Sequence, residues 1–214
     1  RFVADASHEL RTPLTILRSQ IDLALEGGTD PEELRAALAS CGEEVERMTR
    51  LANDRLVLAR ADDGALPTDP RPIHLAGLAE DIAVGFARRE PPVSVAVEVP
   101  PELEVDADPD RLRQAISNLV ENAALHGDGA IELSAGNEGG AVAIHVRDGG
   151  PGFPEELHGR ETERFSRGSA SRSTPGSGLG LAIVDAIARG HGGELRFANA
   201  AGGGADVAIV LPSS

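Results

Sequence analysis

His8 and Glu9 stand side by side in Ser7-His8-Glu9-Leu10-Arg11-Thr12-Pro13-Leu14, near the start of a 214-residue chain. A neutral imidazole is a nucleophile, and a carboxylate beside it can take up a proton. Apolar residues at Val3, Leu10, Leu14, Leu17, Ile21 and Ala24 recur with gaps near three and four, which predicts a helix with one apolar stripe. His8 falls about 100° from the stripe position held by Ser7. The imidazole is therefore expected at the flank of a helical bundle, open to solvent or to a second domain. Pro13 leaves the Glu9 carbonyl without its i+4 donor and predicts a kink. Thr12 lies one turn beyond His8, where its hydroxyl either orients a water or bonds back to the Ser7 or His8 carbonyl. Alone, such a histidine reads as an ordinary surface residue.

Further along, Asn118, Glu121 and Asn122 share one flank of a predicted helix whose apolar face is Leu112, Ile116, Leu119 and Ala123. Amide and carboxylate oxygens are the ligands that magnesium prefers, although a solvated polar face would look the same. In Val142-Ala143-Ile144-His145-Val146-Arg147-Asp148, strand parity carries Asp148 to the same inward side as Val142, Ile144 and Val146. An inward acid needs a donor, such as the exocyclic amine of adenine. An ordinary Asp-Gly turn is the competing interpretation. Finally, Gly176-Ser177-Gly178-Leu179-Gly180 opens a predicted helix whose first amides are unpaired and suit a phosphate. No strand directly precedes it, so the dinucleotide fingerprint does not apply.

Taken in order, these stretches resemble the motifs of two-component sensor histidine kinases over nearly the whole chain. The first octet is similar to their phospho-acceptor box and Arg111–Ala123 to their asparagine box. Asp148-Gly149-Gly150-Pro151-Gly152 resembles their first glycine box, and Glu163-Arg164-Phe165-Ser166-Arg167 their phenylalanine box. The resemblance implies that His8 is phosphorylated by ATP, with Glu9 as general base. It implies Asn122 as direct Mg²⁺ ligand, with Asn118 and Glu121 assisting through phosphate or metal-bound water. It also implies that Asp148 selects adenine, that Gly150 and Gly152 let the backbone approach the base, and that Arg164 and Arg167 direct charge to phosphate while Phe165 anchors a lid. Gly176, Gly178, Leu179 and Gly180 would cradle phosphate. The Glu9-x-x-Thr12 pattern marks family members that are also phosphatases. Several positions depart from the pattern. Glu161 and Thr162 replace an Ile-Phe pair, Ser166 replaces an aromatic, Leu125 replaces a lysine, and His126 takes a position that is usually aromatic. A looser lid and a modest phosphate affinity are the expected effects, unless His126 or an arginine compensates.

To position these groups the chain must first build a helix over about 2–26, then a turn with Asp30 as N-cap and Pro31 at the first helical position. The second helix runs to about Ala61 with the stripe Leu34, Leu38, Cys41, Val45, Met48 and Ala52. Two helices bury too little alone, and a four-helix bundle on dimerisation is the natural remedy. The proline-studded stretch 62–72 is expected to be a linker between a phospho-acceptor domain, 1–61, and an ATP-binding domain, 73–214. Helices are predicted near 75–89, 109–126 and 179–189, and strands at 93–99, 130–135, 142–147, 194–198 and 206–211. The long segment between Gly149 and Gly178 is expected to be functional, as a lid. The fold class is thus an α-helical hairpin followed by an α/β two-layer sandwich, by resemblance of the Bergerat type shared with gyrase and the chaperone Hsp90.

A formal charge of −15 argues against nucleic acid and anionic membrane surfaces as partners. All 20 basic residues are arginine, which removes the lysine of a P-loop and of protein kinases. Cys41 is alone, on the seam of the second helix, and is expected to be a buried structural thiol. Without a long apolar run, this portion is expected to be cytoplasmic. The chain starts inside a helix pattern, so an upstream sensor or membrane segment is expected outside it, anchoring the full protein in a bacterial plasma membrane. The partners implied are a second copy and the receiver domain of a response regulator. Two rival readings remain open: a non-catalytic ATP sensor and a serine kinase of the anti-sigma type.

Overall fold

The chain opens with two helices, α1 (Phe2–Leu25) and α2 (Pro31–Asp62). This computed structural model describes residues 2–25, 30–62, 64, 66–89, 91–127, 129–153, 179–200 and 202–213, with the side chains of residues 2–12 and Glu46 outside that description. α1 continues through Pro13, and α2 starts as its Asp30-Pro31 signal requires, with Leu34 N–H donating to the Asp30 carbonyl at 3.0 Å. The helices touch where Gln20 Nε2 donates to Ser40 Oγ at 2.8 Å and Cys41 Sγ lies 3.6 Å from Gln20 Oε1, so the thiol is half-buried at the seam. Several stripe residues face solvent all the same, among them Leu14 at 54% exposure and Leu38 at 63%.

The chain divides into two compact units, Arg1–Leu56 and Val57–Ser214. In the second unit, β1 (Arg71–His74) pairs antiparallel with β3 (Glu104–Ala107). The sequence reading placed neither strand. Both have four residues, one includes Pro72, and an isolated two-stranded ladder leaves no hydrophobic run long enough to recognise. The main sheet has five strands in the order β2-β4-β5-β7-β6, formed by β2 (Val95–Glu98), β4 (Ile131–Glu138), β5 (Ala141–Arg147), β6 (Glu194–Asn199) and β7 (Ala205–Pro212). β2 is parallel to β4 and the other pairs are antiparallel.

Three helices cover one face of this sheet: α3 (Leu75–Ala87), α4 (Pro109–His126) and α5 (Gly180–Gly190). The register explains which face. Leu133 opposes Val146, which opposes Val207, and Ala135, Ile144, Ile209 and Leu195 form the next row. These rows pack against Leu78 and Ile82 of α3, Leu112, Ile116 and Leu119 of α4, and Ile183 and Ile187 of α5 within one core. Burying each such side chain contributes about 1.5–3 kcal/mol, which holds the helices at fixed positions over the sheet. The opposite face carries a lattice of ion pairs. There Asp206 binds both His145 Nδ1 at 2.9 Å and Arg147 Nε at 2.8 Å, and this bonding holds the guanidinium more firmly charged than usual.

Candidate functional site

α4 is positioned at its N-terminus by Asp108, whose Oδ1 accepts from the Asp110 and Arg111 amides, both at 3.1 Å, a capping arrangement with Pro109 at the first helical position. Its Oδ2 accepts from the Asp69 amide at 3.1 Å. The Asp108 amide in turn donates to His191 Nε2 at 2.9 Å, while His191 Nδ1 lies 2.8 Å from the Ile187 carbonyl. Nδ1 therefore carries the hydrogen toward Ile187 and Nε2 is the acceptor. One aspartate and one histidine thus tie the start of α4 to the end of α5.

With α4 fixed in this way, its apolar residues face the sheet and Asn118, Glu121 and Asn122 lie half-buried on the other flank. Asn122 points at α5, since a β-carbon on Gly180 would stand 3.2 Å from Asn122 Nδ2. Leu179, at the N-cap of α5, gives no side-chain cap and turns its side chain into the core, so any contact it makes with a ligand is through its backbone. The first turn of α5 therefore presents its backbone amides beside Asn122. Asn118 Nδ2 is buried and has no hydrogen-bond partner among the described residues. A buried donor left unpaired costs roughly 1–3 kcal/mol, so the site fits a ligand that brings an acceptor. Glu121 meets Arg89 Nη1 at 2.9 Å. Among the described residues no group of three His, Cys, Asp or Glu side chains could hold a metal ion. The oxygens on this flank instead suit magnesium that arrives with phosphate and keeps part of its water shell.

Asp148 follows β5 and keeps the inward parity of that strand. Its Oδ1 accepts from the Gly150 amide at 2.8 Å and the Ala205 amide at 3.2 Å, and its own amide donates to the Ala205 carbonyl at 3.0 Å. Oδ2 takes no hydrogen bond among the described residues, which leaves one carboxylate oxygen, in a half-buried setting, for an external donor. The Asp-Gly turn and the adenine acceptor, posed as alternatives by the sequence, are thus compatible, because one oxygen makes the turn and the other is spare.

Several supporting residues escaped the sequence reading. A β-carbon on Gly204, whose φ is +91°, would fall on the Asp148 carbonyl oxygen, and one on Gly127 would stand 2.6 Å from Asp148 Cβ. Only glycine lets β7 and the end of α4 close around the aspartate in this way. Asn199 Oδ1 accepts from the Phe153 amide at 2.7 Å and its Nδ2 donates to the Phe153 carbonyl at 3.2 Å, which pins the glycine loop to the end of β6. The Phe153 and Phe197 rings meet edge to face at 5.5 Å beside this clamp. The run Gly202-Gly203-Gly204 carries no local mark of its neighbour, which lies more than fifty residues earlier in the chain.

The structure thus brings together Asn118, Asn122, Gly180 and the turn at Leu179, with Glu121 on the adjoining flank. Gly150 and Gly152 lie in the loop that Asp148 opens. Leu125 is 43% exposed and His126 ends α4 in solvent. Arg164, Phe165, Arg167, Gly176, Gly178 and the expected lid lie outside the described residues. His8, Glu9 and Thr12 lie on α1, in the other compact unit, and their side chains are outside the description as well.

Comparison with known proteins fits this geometry. The profile of the histidine kinase-, DNA gyrase B- and HSP90-like ATPases matches residues 107–214, and that of the His Kinase A (phospho-acceptor) domain matches residues 1–64. The chain belongs to the sensor histidine kinases. This kinase core is 40% identical over 207 residues to the probable sensor histidine kinase TcrY of Mycobacterium tuberculosis, covering 94% of the chain and 43% of TcrY. It is 35% identical over 219 residues to the signal transduction histidine-protein kinase BaeS of Escherichia coli, covering 99% of the chain and 46% of BaeS. Among solved structures, full-length ShkA in complex with AMPPNP superposes with a TM-score of 0.71 at 30% identity, over 98% of the chain and 45% of ShkA. The kinase core spans about half the length of the curated relatives it matches.

Proposed function

We propose that this chain is an ATP-dependent protein-histidine kinase that phosphorylates its own His8 and passes the phosphoryl group to an aspartate on the receiver domain of a response regulator. The observation that carries the reading is the contact of Asn122 with Gly180, which closes the polar flank of α4 onto the first turn of α5. The orphaned Asn118 donor and the spare Asp148 oxygen support it, and ShkA, solved with AMPPNP, has the same fold. In this reading Asp148 Oδ2 accepts from the adenine amine, while Asn118, the first turn of α5 and the arginines Arg164 and Arg167 bind phosphates. Asn122 would hold magnesium, with Glu121 assisting through water. When bound, the ion offsets charge on the transferring phosphoryl group. His8, as the free imidazole common near neutral pH, attacks the γ-phosphorus, the bond from that phosphorus to the β–γ bridging oxygen breaks to release ADP, and Glu9 accepts the proton from the other ring nitrogen.

In this reading residues 1–61 serve as the phospho-acceptor and dimerisation domain, 62–72 as the connection and 73–214 as the ATP-binding domain. The exposed stripe residues Leu14, Leu38 and Val45 favour a homodimer in which a second hairpin covers them. No described helix is long and apolar enough to cross a membrane, and we assign a sensor segment and plasma-membrane anchor to the length that the relatives have beyond this chain. Thr12 would orient water against the phosphorylated regulator. Thr12→Ala should then keep His8 labelling yet stop accelerating the loss of phosphate from the regulator. If it accelerates that loss as the parent does, Thr12 has no such role.

Incubation with γ-labelled ATP tests the kinase reading. Acid-labile, alkali-stable label that disappears in His8→Gln is the expected result. Acid-stable label would mean serine phosphorylation, and ATP binding without label would make the chain a sensor.

A further inference from the structure

Arg89 directly follows the cap of α3, and its placement is specific. The guanidinium carbon sits 3.8 Å from the centre of the Phe86 ring, and Phe86 is itself buried in the core, so the cation rests on a fixed platform. Nη1 donates to a single oxygen of Glu121, at 2.9 Å, and Nε and Nη2 take no hydrogen bond among the described residues. The side chains of Arg89 and Glu121 are 46% and 37% exposed, so both are within reach of a ligand. Glu121 immediately precedes Asn122 and lies one turn from Asn118. The guanidinium therefore borders the polar flank of α4.

The charge of that flank gives the position its meaning. From Asn118 to the end of α4 the helix contributes no arginine, and Arg113, further back, is paired with Asp81 at 3.0 Å. Glu121 alone would repel an incoming triphosphate. A cation on Glu121 removes the repulsion, and its planar fork still has donors to give.

We propose that Arg89 is a phosphate-binding residue of this site: Nη1 stays on Glu121 while Nε and Nη2 reach the terminal phosphate of a bound nucleoside triphosphate. The inference rests on the nucleotide reading above. It assigns to the end of α3 the positive charge that α4 lacks on this flank, and it makes Arg89 a discriminator between triphosphate and diphosphate.

The test uses the whole chain and two ligands, AMPPNP and ADP, each competed against a fluorescent adenine nucleotide. Arg89→Ala should weaken AMPPNP about tenfold, the size of one charge-assisted hydrogen bond, and ADP less than about twofold. Arg89→Gln keeps two methylenes of the stem and an amide donor but neither the charge nor the full reach, and should show the same selective loss if the alanine variant does not fold. Equal weakening of both ligands, or none, at an unchanged melting temperature would reduce Arg89 to a surface ion pair and overturn the proposal. So would full recovery of AMPPNP affinity in Arg89→Ala/Glu121→Gln, since Arg89 would then act only by masking Glu121. If the parent chain binds neither ligand, the nucleotide reading itself fails, a result distinct from loss of discrimination.

Discussion

The side-chain amide of Asn122 packs against the backbone of Gly180, so that a β-carbon there would meet Nδ2 at 3.2 Å and Oδ1 at 3.4 Å. Alanine at this first position of α5 suits a helix better than glycine by about 1 kcal/mol. Gly180→Ala should therefore keep or raise the melting temperature while displacing Asn122 by a few tenths of an ångström. Phosphorylation of His8 is expected to fall about tenfold, because metal and phosphate positions tolerate little displacement. Labelling rate and thermal melting, measured on the same preparation, decide the matter. Labelling at the parental rate would detach Asn122 from the reaction.

For Asp148 one oxygen makes the turn and the other takes no hydrogen bond among the described residues, and two substitutions separate them. Asp148→Asn can keep an oxygen toward the Gly150 and Ala205 amides and place its NH2 where Oδ2 stood. The fold should survive, while a donor now faces the adenine amine. Affinity for ATP should drop by about a hundredfold, in line with the roughly 1–3 kcal/mol cost of leaving polar groups opposed. Asp148→Ala removes the turn bonds as well and should also lower the melting temperature. Nucleotide titration beside thermal denaturation reads both, and parental affinity in the asparagine variant would remove Asp148 from the base pocket.

Asn199 clamps the glycine loop through both halves of its amide. Asn199→Asp keeps the acceptor for the Phe153 amide but sets a second oxygen against the Phe153 carbonyl. Its stability should fall by about 1 kcal/mol. Nucleotide affinity should fall several-fold, since the loop that Asp148 opens loses its second anchor. A binding curve that superposes on the parent's would show that the loop needs no clamp.

The carboxyl of Asp108 is held below the ordinary carboxylate range. Burial pushes it up, but the amides of Arg111, Asp69 and Asp110 and the charge of Arg111 outweigh that. A depressed carboxyl stabilises the fold above its unfolded value, near pH 4, and the contribution is lost as pH falls through the folded value. Asp108→Ala should accordingly cost about 1–2 kcal/mol at neutral pH, and the gap from the parent should narrow below about pH 4. Melting temperatures between pH 3 and 7 give the comparison. A gap that is constant across that range would mean that the cap contributes through shape alone.

What could be read in the sequence follows from how local each signal is. α4 has the expected ends because Asp108-Pro109 caps and starts it within three residues and its apolar period is continuous. β5 and the inward turn of Asp148 followed from strict alternation. β1 and β3 were not visible, because each is stabilised by a partner thirty or more residues away rather than by its own pattern. The same holds within the site. The inward placement of Asp148 was legible, but Ala205 lies 57 residues further on, and Arg89 is 32 residues from Glu121. Asparagine at a strand end and arginine after a helix are ordinary surface residues until the fold gives them a neighbour.

Val57 and Leu58, near the C-terminal end of α2, are 1% and 2% exposed within the core that holds the sheet and its three helices. Proteolysis in the proline-studded stretch before Arg71 would release a piece with all seven described strands but without these two side chains. At about 1.5–3 kcal/mol each, that loss is a large part of the 5–15 kcal/mol by which domains are ordinarily stable. The nucleotide-binding half is therefore best excised by cutting through a helix, upstream of Val57, and not at the sequence that looks most like a hinge.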